Sequence, residues 1–112
     1  MIVLLAAQAL SDCSGIDRWP AAMAIAQLKN AGIVQPEAID FGKSSSLPLA
    51  SQPLRDGRIR QVFLVTLMLK DGRSEQAVVV NDATREECSG SEPRVLRVTP
   101  AAPPAASVAK PR

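Results

Sequence analysis

The feature that most constrains this chain is the pair Asp71-Gly72, set between two apolar, β-branched runs, Val62 to Leu69 and Ala77 to Val80. A two-residue turn needs φ > 0 at its centre, and Asp-Gly supplies that at low cost, so the spacing predicts a β-hairpin over 58–81. Pairing outward from such a turn sets Leu67 opposite Gln76, Val65 opposite Val78 and Phe63 opposite Val80 on one face. Leu64 opposite Val79 and Val62 opposite Asn81 then fall on the other. Both faces are apolar near the open end and polar near the turn, as in a sheet covered on at least one side with its tip in water.

The hairpin needs something to pack on. Asp17-Arg18-Trp19-Pro20 reads as a helix start, with Asp17 as the cap and Pro20 in the first turn. Strong helix formers run from Ala21 to Ala31, and Gly32 fits the left-handed position that ends a helix, with Ile33 folding back on Leu28. Ala21, Ile25 and Leu28 form one stripe directed at the sheet, with Met23, Gln27 and Asn30 on the far side. Between Gln35 and Gly57 the signals weaken. Ala38 to Phe41 reads as a short strand, 42–48 as a mobile loop, and Leu54 to Gly57 as a turn. Arg94 to Thr99 is a further strand, with Val95, Leu96 and Val98 as its apolar members. The expected fold class is α+β: one N-terminal helix packed on a small antiparallel sheet of three to four strands built around the β-hairpin.

The ends read differently. Residues 1–9 form an apolar run too short to span a bilayer but of the size of a secretory h-region, and Ala7-Gln8-Ala9 has the small-x-small form of a cleavage site. The basic residues that precede such a run are missing, and a first strand or helix of a cytosolic domain is the alternative. Leu10-Ser11-Asp12-Cys13 resembles a bacterial lipobox, which implies a lipid on Cys13 and a membrane tether, with Asp12 departing from the pattern. Residues 10–100 are expected to form a single α+β domain. Residues 101–112, rich in Pro and Ala, are expected to be a disordered or polyproline-like tail.

Cys13 and Cys88 are the only cysteines. An even count behind an export signal predicts one disulfide, and closing so long a loop stabilises a domain by about 4 kcal/mol. Two free thiols, or a lipidated Cys13 with Cys88 left alone, are the alternatives. In 112 residues the core is small enough for that increment to matter. No metal is expected, since two sulfurs far apart with no histidine make no ligand set. No cofactor motif is present either: Lys43 and its neighbouring serines lack the glycine spacing of a phosphate-binding loop.

Histidine is absent, which removes the commonest general base, and no catalytic residue is assigned. Cys88 lacks an activating base and has Glu86-Glu87 beside it, which disfavours the thiolate. The two glutamates themselves read as a solvated face. The chain is not expected to be an enzyme. Its formal charge of +2, from 13 Lys and Arg against 11 Asp and Glu, is too balanced to imply a nucleic-acid partner.

The runs Gln61-Val62, Val65-Thr66, Asn81-Asp82-Ala83-Thr84 and Glu86-Glu87-Cys88-Ser89 resemble the QV…VT…NDA…EECS layout of a group of small exported bacterial proteins. The resemblance covers about the C-terminal half. It implies that hairpin, loop and last strand travel as a unit, and no activity or binding residue comes with it.

The expectation is therefore a non-catalytic, exported interaction module of the periplasm or cell envelope: an inhibitor, an immunity-type protein or an assembly subunit that binds a protein partner through a sheet edge. The alternative is a cytoplasmic nucleic-acid-binding or regulatory protein using Arg55, Arg58 and Arg60 as a phosphate track. Few aromatics are available to stack bases, and salt-bridged arginines are the plainer expectation.

Overall fold

The structure, a computed structural model, describes residues 13–99. The expected leader 1–9, most of the lipobox-like stretch and the tail 101–112 lie outside the described residues. Among the described residues one helix, α1 (Trp19–Asn30), precedes a sheet of four strands, β1 (Ser45–Pro53), β2 (Ile59–Met68), β3 (Ser74–Ala83) and β4 (Arg94–Val98). The strands follow in sheet order β1-β2-β3-β4, each antiparallel to the next. The fold is thus α+β and built on hairpins.

The helix begins one residue later than the Asp17 cap predicts. Arg18 N–H closes a turn on Gly15 O at 3.2 Å, and the first helical bond runs from Ala22 N–H to Arg18 O at 2.9 Å. Arg18 is the N-cap and no side chain caps the helix. Its end is as read from Gly32, which takes φ 77°. Ile33 N–H reaches Leu28 O at 2.9 Å and Gly32 N–H reaches Lys29 O at 2.9 Å, the paired bonds of a Schellman stop. The buried face is Pro20, Ala21, Ala24 and Leu28, with Ile25 on its flank. Two alanines at the contact let the helix lie close to the strands.

The hairpin register differs from the expected one by one residue. Leu69 pairs with Arg73 around the three residues Lys70-Asp71-Gly72, with Leu69 N–H to Arg73 O at 2.8 Å and Gly72 N–H to Leu69 O at 2.9 Å. Among the described residues only glycines take positive φ, Gly72 at 94° among them, so Asp71 keeps an ordinary conformation. Its Oδ1 accepts Arg73 N–H at 3.0 Å, which favours the longer loop. Phe63 therefore pairs with Val79, Val65 with Ala77 and Leu67 with Glu75. Phe63, Val65, Leu67, Ala77 and Val79 are all buried beneath α1. Phe63, Val65, Leu67 and Val79 each contribute about 1.5–3 kcal/mol by leaving water, and Ala77 less.

Ahead of β2 the expected short strand 38–41 is reduced to one bridge, Ile39 with Leu69, between 3₁₀ turns at Pro36–Ala38 and Phe41–Lys43. The expected loop 42–48 instead runs into β1. Two prolines hide that strand in the sequence, and an edge position tolerates them.

Candidate interaction surface

The disulfide fixes the frame of the surface. Cys13 and Cys88 are bonded with Cα atoms 5.7 Å apart, across 75 positions of sequence. Cys13 is buried in the core cluster, so the bond ties the approach to α1 to the loop after β3. That loop is held from below as well. Asn81, fully buried on β3, donates its amide to Cys88 O at 2.9 Å and to Gln61 Oε1 at 3.4 Å. Thr84 Oγ1 accepts the N–H groups of Glu86 and Glu87 at 3.2 and 3.1 Å, leaving both glutamates exposed. They border a groove of about 310 Å³ with Asp17, Arg18, Trp19 and Cys88. Among the described residues no group of three or more His, Cys, Asp or Glu is placed to hold a metal ion. No helix there is long and apolar enough to cross a membrane.

The three arginines singled out from sequence sit at one end of the sheet but act differently. Arg55 is exposed on the β1–β2 turn. Arg58 Nε lies 2.7 Å from Asp56 Oδ2, and its Nη1 lies 3.5 Å from Asp82 Oδ2. Arg60 grips Asp82 with both arms, Nε to Oδ1 at 2.8 Å and Nη2 to Oδ2 at 3.0 Å. The Arg60 hydrogen bonds, against the cost of burial, hold the Asp82 carboxyl below the usual aspartate range. Two of the three cations are thus turned onto carboxylates of the protein itself.

Below that charged end, the face of the sheet away from α1 carries one apolar row. Leu47, Leu64, Val78 and Leu96 stand in one row across all four strands. Leu47 and Leu96, the outer members, are 55% and 56% exposed.

The two edges of the sheet are not equivalent. Antiparallel ladders alternate, so counting from the Leu54–Arg58 and Leu69–Arg73 closing pairs gives the direction of every backbone group. On β1 the outward positions are Ser46, Pro48, Ser51 and Pro53. Ser46 O already accepts Gly15 N–H at 3.2 Å, the prolines have no N–H, and the register breaks between Pro48 and Ala50. That edge is blunted by the standard devices of proline and bulge. On β4 the pairs Val98–Gln76, Leu96–Val78 and Arg94–Val80 use the inward groups. The outward groups belong to Val95 and Arg97, and nothing among the described residues covers them. Arg97 is drawn back by a two-armed ion pair with Glu75 on the neighbouring strand, one arm at 3.0 Å. The sequence identified the β4 residues as a strand. Which edge would stay open depends on strand order, which local patterns do not carry.

A helix on one face of a four-stranded meander, with one blunted and one open edge, makes the described residues a small α+β fold. No family model matches the chain, and no curated protein or solved structure is similar to it, so no activity comes to it by likeness.

Proposed function

We propose that this protein is a non-catalytic interaction module of an oxidising compartment, the periplasm or cell envelope, and that it receives an extended segment of a protein partner along the outer edge of β4. The open pair of backbone positions at Val95 and Arg97, opposite a sheet edge that is blunted, is the observation that carries this reading. Strand addition draws affinity from main-chain hydrogen bonds and specificity from alternate side chains, here Leu96 and Val98 on the face away from α1. The Cys13–Cys88 bond supports the compartment, since such bonds persist where thiols are not kept reduced. Docking by strand addition is open to an inhibitor, an immunity-type protein or an assembly subunit alike. The nucleic-acid reading through Arg55, Arg58 and Arg60 draws less support, because Arg58 and Arg60 are neutralised by Asp56 and Asp82.

The test compares the protein with a Val95→Pro variant, which removes an outward N–H and no bond to β3. Envelope proteins retained by the native chain are expected to be lost by the variant, while circular dichroism shows the fold unchanged. Equal retention by both overturns the edge reading. Salt-sensitive binding to generic duplex DNA or RNA would favour the alternative.

A further inference from the structure

We infer that the partner strand at β4 is β4 of a second copy of this chain, paired across a two-fold axis through Leu96; this rests on the reading of β4 as the docking edge. The strand Arg94-Val95-Leu96-Arg97-Val98 is complementary to itself when run antiparallel about its centre. Leu96 then meets Leu96 of the other copy, Val95 meets Arg97, and Arg94 meets Val98. Every pair is apolar with apolar or apolar with cationic, so no two arginines stand directly opposite. Moving the register two residues toward the C-terminus puts Arg97 opposite Arg97.

The hydrogen-bond parity agrees with that axis. Val95 and Arg97 carry the outward groups, so Val95–Arg97 and its mirror become the bonded pairs and Leu96–Leu96 the non-bonded pair, where side chains come closest. Leu96 is 56% exposed and ends the apolar row from Leu47, so the dimer continues one apolar row across both sheets. Arg97, held on Glu75, adds little repulsion.

Two further features favour a second copy over other occupants. The sequence directly after β4 carries Pro100, Pro103 and Pro104, which give no N–H to a ladder, so the chain's own continuation makes a poor fifth strand. Pairing at β4 also leaves only β1 edges at the ends of the joined sheet, and these are blunted, so the assembly closes at two. A ladder of five residues is short beside the standard interface of about 1,600 Å². The association is accordingly weak and concentration-dependent.

Two measurements test it. Leu96→Cys and Leu47→Cys place one extra thiol on residues of equal exposure, the first on the open edge and the second on the blunted one. Under mild oxidation Leu96→Cys is expected to form a covalent dimer at least about tenfold faster, because its pair sits at disulfide distance. Sedimentation of the unmodified protein is expected to move from one chain to two as concentration rises, and Val95→Pro to stay at one. Equal cross-linking rates with a native protein that stays monomeric overturn the inference. If Val95→Pro nevertheless loses an envelope partner, the edge reading stands and only the identity of the partner strand falls.

Discussion

Arg60 on β2 faces Asp82 on β3 directly across the ladder, and the guanidinium and carboxylate meet in two hydrogen bonds of 2.8 and 3.0 Å. Asp82 is 7% exposed, so the pair forms where the carboxylate has already lost most of its water. It lies at one end of the sheet face that carries the Leu47, Leu64, Val78 and Leu96 row.

The pair gives a pH dependence with a definite sign. Asp82 has a lowered carboxyl pKa in the folded protein, chiefly through the Arg60 hydrogen bonds. Its contribution is therefore complete above the ordinary aspartate value of about 3.9 and lost as pH falls through the lowered folded value. Asp82→Asn is expected to cost about 1 kcal/mol at neutral pH, discounted because Arg60 is half in water. Urea midpoints of the two proteins should converge as acid protonates the native carboxylate. A difference that stays constant into strong acid contradicts this.

The Cys13–Cys88 bond closes most of the domain into one loop. Reduction, or the double substitution Cys13→Ala with Cys88→Ala, is expected to lower unfolding stability by about 4 kcal/mol. For so small a core that is a large part of the total. Urea titrations with and without reductant check it; a change below about 1 kcal/mol would show that the bond constrains little.

The register predicts an asymmetry between neighbours. Val79 is fully buried and Val80 is half-buried on the opposite face. Val79→Asp should unfold the protein or cost several kcal/mol, whereas Val80→Asp should leave a folded chain. Phe63→Ala should cost about 3–5 kcal/mol. Thermal melts of the three variants order them; a Val80 variant worse than Val79 would restore the register of a two-residue turn.

The turns Leu54-Arg55-Asp56-Gly57-Arg58 and Leu69-Lys70-Asp71-Gly72-Arg73 are built alike at opposite ends of β2. In each, aspartate Oδ1 accepts the following arginine N–H, at 3.1 and 3.0 Å, and Oδ2 takes its Nε at 2.7 Å. Gly57 and Gly72 hold φ 88° and 94° with nothing within 4 Å of an added Cβ, so Gly→Ala at either costs backbone strain alone, about 1–2 kcal/mol. The two costs should add in the double variant, because the sites are far apart. Gly90→Ala should behave differently: its Cβ would fall 2.4 Å from Asp82 O, so the loop must move.

Helix and hairpin were legible because their signals are local: Gly32 for the stop, Asp71-Gly72 for the turn, and β-branched runs for the strands. The register was not, because the choice between two and three loop residues turns on whether aspartate or only glycine takes positive φ. A slip of one moves Val79 and Val80 to opposite faces. β1 escaped notice because Pro48 and Pro53 break strand patterns, and only its place at the edge makes them acceptable. Asn81 reads in sequence as a polar residue at a strand end. Its support of the Cys88 backbone exists only once loop and strand are folded together. The arginines were found by their spacing, while their partner Asp82 lies 22 positions from Arg60 and is brought to it by the pairing of β2 with β3.

The unequal edges of the sheet carry the whole account, and amide hydrogen exchange on the dilute native protein reads them residue by residue. The amides of Val95 and Arg97 should exchange much faster than those of Leu96 and Val98, an alternation along one strand, and should slow as protein concentration or partner rises. Uniform protection along β4 in the dilute monomer would mean its outer edge is already occupied and would contradict the account.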